Sequence, residues 1–175
     1  MKFDKVFEIL MGHEGGYQDD PVDNGNFFNN INMGTNFGIT PRAYYNFFNK
    51  KPTREIMKNL SLREAKQIYY EDYWEAAHTE KLPLSMRLMH FDTAVNHGVN
   101  KAMKILQRTV KTKADGIYGP KTEAAILSNN YDIYRYASYR IIDYMYIVVH
   151  NPSKMKYIKG WIFRVLNNLK YQENV

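Results

Sequence analysis

The chain has 175 residues, 45% of them hydrophobic, with 24 basic against 18 acidic side chains and no cysteine. That apolar content excludes a disordered protein and suffices for one good core or two small ones, while the missing cysteines exclude disulfides and thiolate metal sites. The net charge of +6 and pI near 9.3 favour an anionic partner, either a nucleic acid or another anionic polymer.

Phe3, Val6, Phe7 and Leu10 recur at helical spacing and predict a first helix with one apolar stripe. Gly12 loosens it and Gly15-Gly16 cannot continue it cheaply. Glu14 therefore sits where helix becomes loop, beside Tyr17. As a bare residue it reads either as an ordinary solvated glutamate or as a carboxyl whose partial burial raises its pKa. Asp19, Asp20 and Asp23 follow in a turn-rich stretch, and Asp20 before Pro21 suits a turn. Asn24-Gly25 predicts a small hairpin within residues 17–40. Ser61-Leu62-Arg63-Glu64 has capping-box form and starts a helix that runs past Trp74. Pro83 marks a soft boundary between residues 1–83 and 84–175, two regions expected to pack into one globule.

Beyond it, Leu88, Phe91 and Val95 share a face of a helix from Leu84 to Asn96. Gly98 ends that helix and Asn100 is placed to cap the next, which carries Ala102, Ile105, Leu106 and Val110. Asp115-Gly116 signals a turn, and Gly119-Pro120 opens a helix through Ile126. Two further helices are expected from Asp132 to His150 and from Met155 to Lys170. The fold class is mainly α. The run Tyr144 to Val149 is too short to cross a bilayer, and residues 1–4 lack the pattern of a signal peptide.

Paired carboxylates nine residues apart, Glu14 and Asp23, suit glycosidic-bond hydrolysis, where one protonates the leaving oxygen and one acts on water or sugar. That chemistry needs no metal or cofactor. His90, Asp92 and His97 do not have the spacing of a metal site, since positions two apart on a helix face different ways. Fifteen tyrosines among basic residues resemble a stacking surface for single strands. Yet Tyr134, Tyr136, Tyr139, Tyr144 and Tyr146 lie in one predicted helix, and the basic residues are spread along the chain, so no nucleic-acid partner is expected. A nucleophile elbow, a Cys-His pair and a phosphate-binding glycine loop are all missing.

His13-Glu14-Gly15-Gly16-Tyr17, Asp20-Pro21-Val22-Asp23 and Thr35-Asn36-Phe37-Gly38-Ile39-Thr40 together resemble the signature of glycoside hydrolase family 108, phage-type N-acetylmuramidases with an E-G-G-Y motif. The likeness continues through Tyr69, Tyr73-Trp74, residues 91–98, Leu106-Gln107 and residues 115–122. It implies a lysozyme-like helical fold with Glu14 as the catalytic acid. The spacing of Glu14 and Asp23 also resembles phage lysozymes in which a threonine completes the set. By that analogy Asp23 manages the attacking water with Thr35. Tyr17, Asp20, Tyr73, Trp74 and Asn96 are the candidates for holding substrate, although Tyr73 and Trp74 could instead fill a core and Asn96 could be a cap. The stretch Asn26 to Met33 departs from the family by being longer and more aromatic, and could narrow a cleft.

Residues 106–126 also resemble small peptidoglycan-binding modules, with a structural role as the other reading. The resemblance thus implies a monomeric, bacteriolytic endolysin that cuts the β-1,4 bond between N-acetylmuramic acid and N-acetylglucosamine, made in the cytoplasm and carried to the wall by a holin or a secretion machine. The alternative is a non-catalytic wall-binding or secretion-assisting protein of the same fold.

Overall fold

The computed structural model describes residues 1–12, 16–128 and 131–171, which form two compact units, Phe3–Asp72 and Met1–Lys2 with Tyr73–Val175. The expected boundary at Pro83 lies eleven residues beyond the end of the first.

In the first unit, α1 (Phe3–Met11) buries Val6, Phe7 and Leu10 along the expected stripe. Its Phe7 meets Tyr69 at 5.7 Å and its Phe3 meets Tyr70 edge-on at 5.0 Å. The expected hairpin exists but turns elsewhere. Strands β1 (Phe27–Phe28) and β2 (Ile31–Asn32) are joined by Asn29-Asn30, both at positive φ (49° and 65°). Two consecutive left-handed residues give the turn whose twist matches paired strands, and asparagine tolerates that conformation better than most. Asn24-Gly25 instead opens a 3-10 turn, Asn24–Asn26. The longer, aromatic stretch that departs from the family is this hairpin, and Phe28 spends its ring on Tyr45 of α2 (Pro41–Phe48) at 5.2 Å.

Helix α2 begins at a Thr40 cap, with Pro41 in its first turn, and ends at Asn49 in the left-handed region. Short α3 (Arg54–Lys58) is capped by Thr53. Helix α4 (Leu62–Ile68) starts with the expected capping box, Ser61 N–H donating to Glu64 Oε2 at 2.9 Å and Glu64 N–H to Ser61 Oγ at 3.2 Å. It widens into a π-helical stretch, Tyr69–Glu75.

In the second unit, α5 (Leu84–His97) is buried on nearly every side, including Met86, Leu88, Phe91, Asp92 and Ala94. The amphipathic stripe read from Leu88, Phe91 and Val95 understates this, because the helix is surrounded by α6 (Val99–Thr109), α8 (Ile133–His150) and α9 (Ile158–Lys170). Gly98, at φ +83°, both ends α5 and precedes α6, so Asn100 lies inside the helix it was expected to cap. Helix α7 (Pro120–Leu127) begins at Gly119-Pro120 as expected. Asp132 caps α8, accepting from Tyr134 N–H at 2.9 Å. The last predicted helix is divided, with a 3-10 stretch over Pro152–Tyr157 before α9. Met86, Met89, Leu106, Ile126, Tyr136 and Val165 lie at the centre of this unit's core.

Buried polar groups tie the helices together. The Asp92 carboxylate meets Arg140 at 2.5 Å and Arg164 at 2.8 Å. Burial alone would push the Asp92 carboxyl up, but the two guanidiniums hold it below its usual range. His90 bridges the Tyr136 hydroxyl (2.9 Å) and the Ala77 carbonyl (3.0 Å).

Candidate active site

Glu14, with His13 and Gly15, lies outside the described residues. The other candidates of the first unit gather on one loop system. Asp20 is a turn residue, its Oδ1 accepting from Val22 N–H at 3.0 Å while its carbonyl accepts from Asp23 N–H at 3.1 Å. Asp23 is exposed and caps the 3-10 turn, with Oδ1 accepting from Gly25 N–H at 2.9 Å and Oδ2 from Gln18 Nε2 at 3.0 Å. A carboxylate has about four acceptor sites, so each oxygen keeps capacity for a water.

An amide pair that sequence reasoning missed holds this turn. Asn26 is fully buried. Its Nδ2 donates to Gln18 Oε1 (2.8 Å) and the Asp20 carbonyl (3.0 Å), and Gln18 Nε2 donates back to Asn26 Oδ1 at 3.0 Å. Asn32 repeats the device, donating to the Asp19 carbonyl at 2.9 Å and accepting from Gly34 N–H at 3.0 Å. The only sequence signal for these roles is an abundance of amide side chains where regular secondary structure cannot satisfy the backbone.

Thr35 pairs with Gln18 through two backbone hydrogen bonds of 2.8 Å each. Gln18 thus joins the two candidates, its backbone on Thr35 and its side chain on Asp23. The Thr35 hydroxyl is buried and makes no hydrogen bond among the described residues. Such a group costs about 1–3 kcal/mol unless water or a ligand meets it.

Tyr17 donates its hydroxyl to the Met33 carbonyl at 3.2 Å, and Lys58 Nζ stands 5.3 Å from its ring centroid. Burial, with the Asp19 charge adding to it, pushes the Tyr17 hydroxyl up from its ordinary value. Asp19 is in turn paired with Arg54 at 3.6 Å. The ring lies on Gly34, where φ is +77° and an added Cβ would come within 2.4 Å of Tyr17. Only glycine fits both conditions.

The candidates of the second unit differ in kind. Trp74 is 1% exposed, edge-on to Phe91 at 5.5 Å, with Nε1 donating to Glu80 Oε2 at 3.2 Å. It fills the core, which corrects the reading of it as a sugar platform, since stacking on a sugar requires an open ring face. Tyr73 is half-buried. Asn96 is exposed near the end of α5 and donates to the Asp92 carbonyl at 2.7 Å. Among the described residues no group of three metal-ligating side chains could hold an ion. Gln107 organises the 106–122 motif, with Nε2 within 2.8 Å of Asp115 Oδ1, 2.9 Å of the Ile117 carbonyl and 3.2 Å of Thr122 Oγ1, and Oε1 accepting from Gly116 N–H at 2.8 Å. The motif therefore has a structural function here, beside a cavity lined by Lys113, Ile117, Pro120 and Lys121.

Residues 7–98 match the model of the glycosyl hydrolase 108 family, and residues 101–166 match that of a predicted peptidoglycan domain. The solved structure of Brucella abortus SagA is similar over 98% of this chain and 94% of that one, at 27% identity and a TM-score of 0.82. No curated protein matches the chain. The fold is the expected mainly α, lysozyme-like one with its small hairpin. The chain belongs to the glycosyl hydrolase 108 family and carries a peptidoglycan-binding-like region in its second half.

Proposed function

We propose that the chain is an N-acetylmuramidase that cuts the β-1,4 bond between N-acetylmuramic acid and N-acetylglucosamine in peptidoglycan. The observation that carries this reading is the Glu14-Gly15-Gly16-Tyr17 motif inside the stretch that matches a glycosyl hydrolase family, followed by a peptidoglycan domain. In the proposed reaction, Glu14 gives its proton to the glycosidic oxygen as the anomeric C–O bond breaks. The ring carbon develops oxocarbenium character, and a water held by Asp23 and Thr35 adds to the opposite face while Asp23 takes its proton. That sequence inverts the anomeric centre. The lone Thr35 hydroxyl and the spare acceptor sites of Asp23, linked through Gln18, support a water-holding role. In the first unit, Tyr17 is proposed to line the sugar path, with Asp20 shaping its wall.

The test is digestion of purified peptidoglycan followed by mass analysis of the fragments. New reducing muramic acid ends are expected from the wild type. Glu14→Gln should lower the rate by about 10²–10⁴-fold or more, the range general-acid catalysis supplies, while pull-down with insoluble wall persists. Undiminished cleavage by that variant would remove Glu14 from the mechanism. New reducing glucosamine ends would replace the bond assignment. Wall pull-down without any cleavage by the wild type would favour the non-catalytic reading.

A further inference from the structure

Basic residues occur throughout the chain, but acidic ones are missing from one long stretch. From Tyr144 to Tyr171 there is no Asp or Glu, while Lys154, Lys156, Lys159, Arg164 and Lys170 are all cationic. The same stretch exposes large apolar side chains in an ordered way. On α8, Ile142, Met145, Tyr146 and Val149 are 57%, 56%, 60% and 73% exposed. Their spacing of three, four and seven residues puts them on one face of the helix. The chain then passes through the 3-10 stretch, where Met155 and Tyr157 are also exposed, into α9, where Phe163 and Leu166 follow Lys159 on one face. Elsewhere exposed apolar side chains such as Val22, Leu62 and Ile117 stand singly, which is normal.

The lysines lie against the aromatic rings at the C-terminal end of this stretch. Lys154 and Lys156 stand 5.5 and 4.9 Å from the centroid of Tyr157, and Lys159 stands 5.8 Å from that of Phe163. All three lysines are exposed, and none forms an ion pair among the described residues. A stretch in which an exposed apolar stripe on α8 is followed by unneutralised lysines on the 3-10 segment and α9 fits a surface with phosphates and acyl chains at adjacent depths.

We propose that the exposed surface of this stretch, from Ile142 on α8 through Lys159 on α9, docks on an anionic lipid bilayer. Met145, Tyr146, Val149 and Met155 enter the boundary between headgroups and acyl chains, and Lys154, Lys156 and Lys159 meet the lipid phosphates. Docking is peripheral, since no helix among the described residues is long and apolar enough to cross a membrane. Charge decides against a second copy of the chain, which would bring like-charged surfaces together. The apolar stripe decides against a hydrated glycan, to which isoleucine, methionine and valine offer little.

The test is flotation of the full chain with vesicles of mixed phosphatidylglycerol and phosphatidylethanolamine, set against vesicles of phosphatidylcholine. Binding to the anionic vesicles is expected to be at least about tenfold tighter and to weaken with salt. Each lysine near an anionic surface contributes roughly fivefold, so Lys154→Gln, Lys156→Gln and Lys159→Gln combined should lose roughly a hundredfold. Met145→Ser with Val149→Ser should weaken binding by at least about tenfold through the apolar contribution alone. These side chains are exposed, so both variants should keep the wild-type melting temperature. Equal binding to neutral vesicles, no binding to either, or retention by the lysine variant would overturn the proposal. A concentration-dependent dimer abolished by Val149→Ser would assign the face to a second copy. Loss of wall pull-down in the lysine variant without vesicle binding by the wild type would assign it to the wall.

Discussion

The loop system from Gly16 to Thr40 and the helical unit from Tyr73 to Tyr171 both bury polar groups, and they differ in whether those groups carry charge. In the loops the strands are two residues long, so the side-chain amides of Gln18, Asn26 and Asn32 supply the partners that regular structure does not. In the helical unit the backbone is satisfied by the helices themselves, and beside neutral groups such as Gln107 and Thr93 the buried polar side chains include charged and titratable ones. Asp92 lies between Arg140 and Arg164, and His90 lies between Tyr136 and Ala77. A neutral hydrogen bond is worth about 1 kcal/mol net, whereas a buried charge that loses its partner costs several. The difference teaches that the loops can be adjusted residue by residue while the helical unit holds or fails as a whole.

Three substitutions or conditions sharpen this contrast. The largest effect of any single substitution is expected from Asp92→Asn, which leaves Arg140 fully buried and without its countercharge. Stability measured by urea unfolding should fall by about 3–5 kcal/mol. A loss under about 1 kcal/mol would mean that the ion pair contributes no more than an ordinary surface one.

The next effect is a pH dependence confined to the helical unit. Burial above all holds His90 and His97 down to about 4, from an ordinary 6.5, and the Arg140 charge assists at His97. Between those values the unfolded chain binds protons that the folded chain refuses. Their contribution is therefore complete above about pH 6.5 and is lost as pH falls toward 4, on the order of 3 kcal/mol for each histidine. Melting temperature measured from pH 7 to pH 4 should drop accordingly. His97→Phe keeps a ring against Tyr144, which lies 4.5 Å away, and should remove about half of the slope. A profile as steep as that of the wild type would take His97 out of the account.

The smallest effect belongs to the loops. Gly34→Ala places a Cβ on Tyr17 at a positive φ, so Tyr17 must shift and with it the segment that pairs with Thr35. Stability should fall by about 1–3 kcal/mol, with wall cleavage reduced more than wall pull-down. Cleavage at the wild-type rate would show that the site tolerates movement of Tyr17.

Local sequence signals described the helices well because the devices that start and stop them are local. The Ser61 capping box, the Asp132 cap, Gly98 and Gly119-Pro120 each act within a turn of the residues they affect. Helices α2 and α3 went unread although Thr40-Pro41 and Thr53 cap them by the same rules, because their short runs give weak periodicity. The hairpin was legible but its turn was not. Asn24-Gly25 and Asn29-Asn30 are both plausible turn pairs, and packing of Phe28 on Tyr45 goes with pairing around the second.

By itself, then, the sequence determined the helical class, most helix boundaries and the family, because caps, periodicity and ordered motifs are written in neighbouring residues. Tertiary structure alone decided that Trp74 is core, that Asp20 and Asp23 shape a turn around the Gln18–Asn26 amide pair, and that the Thr35 hydroxyl is left without a partner among the described residues. Those outcomes depend on which groups meet across sequence distance. Burial and hydrogen-bond satisfaction are properties of the packed chain, so no local pattern carries them.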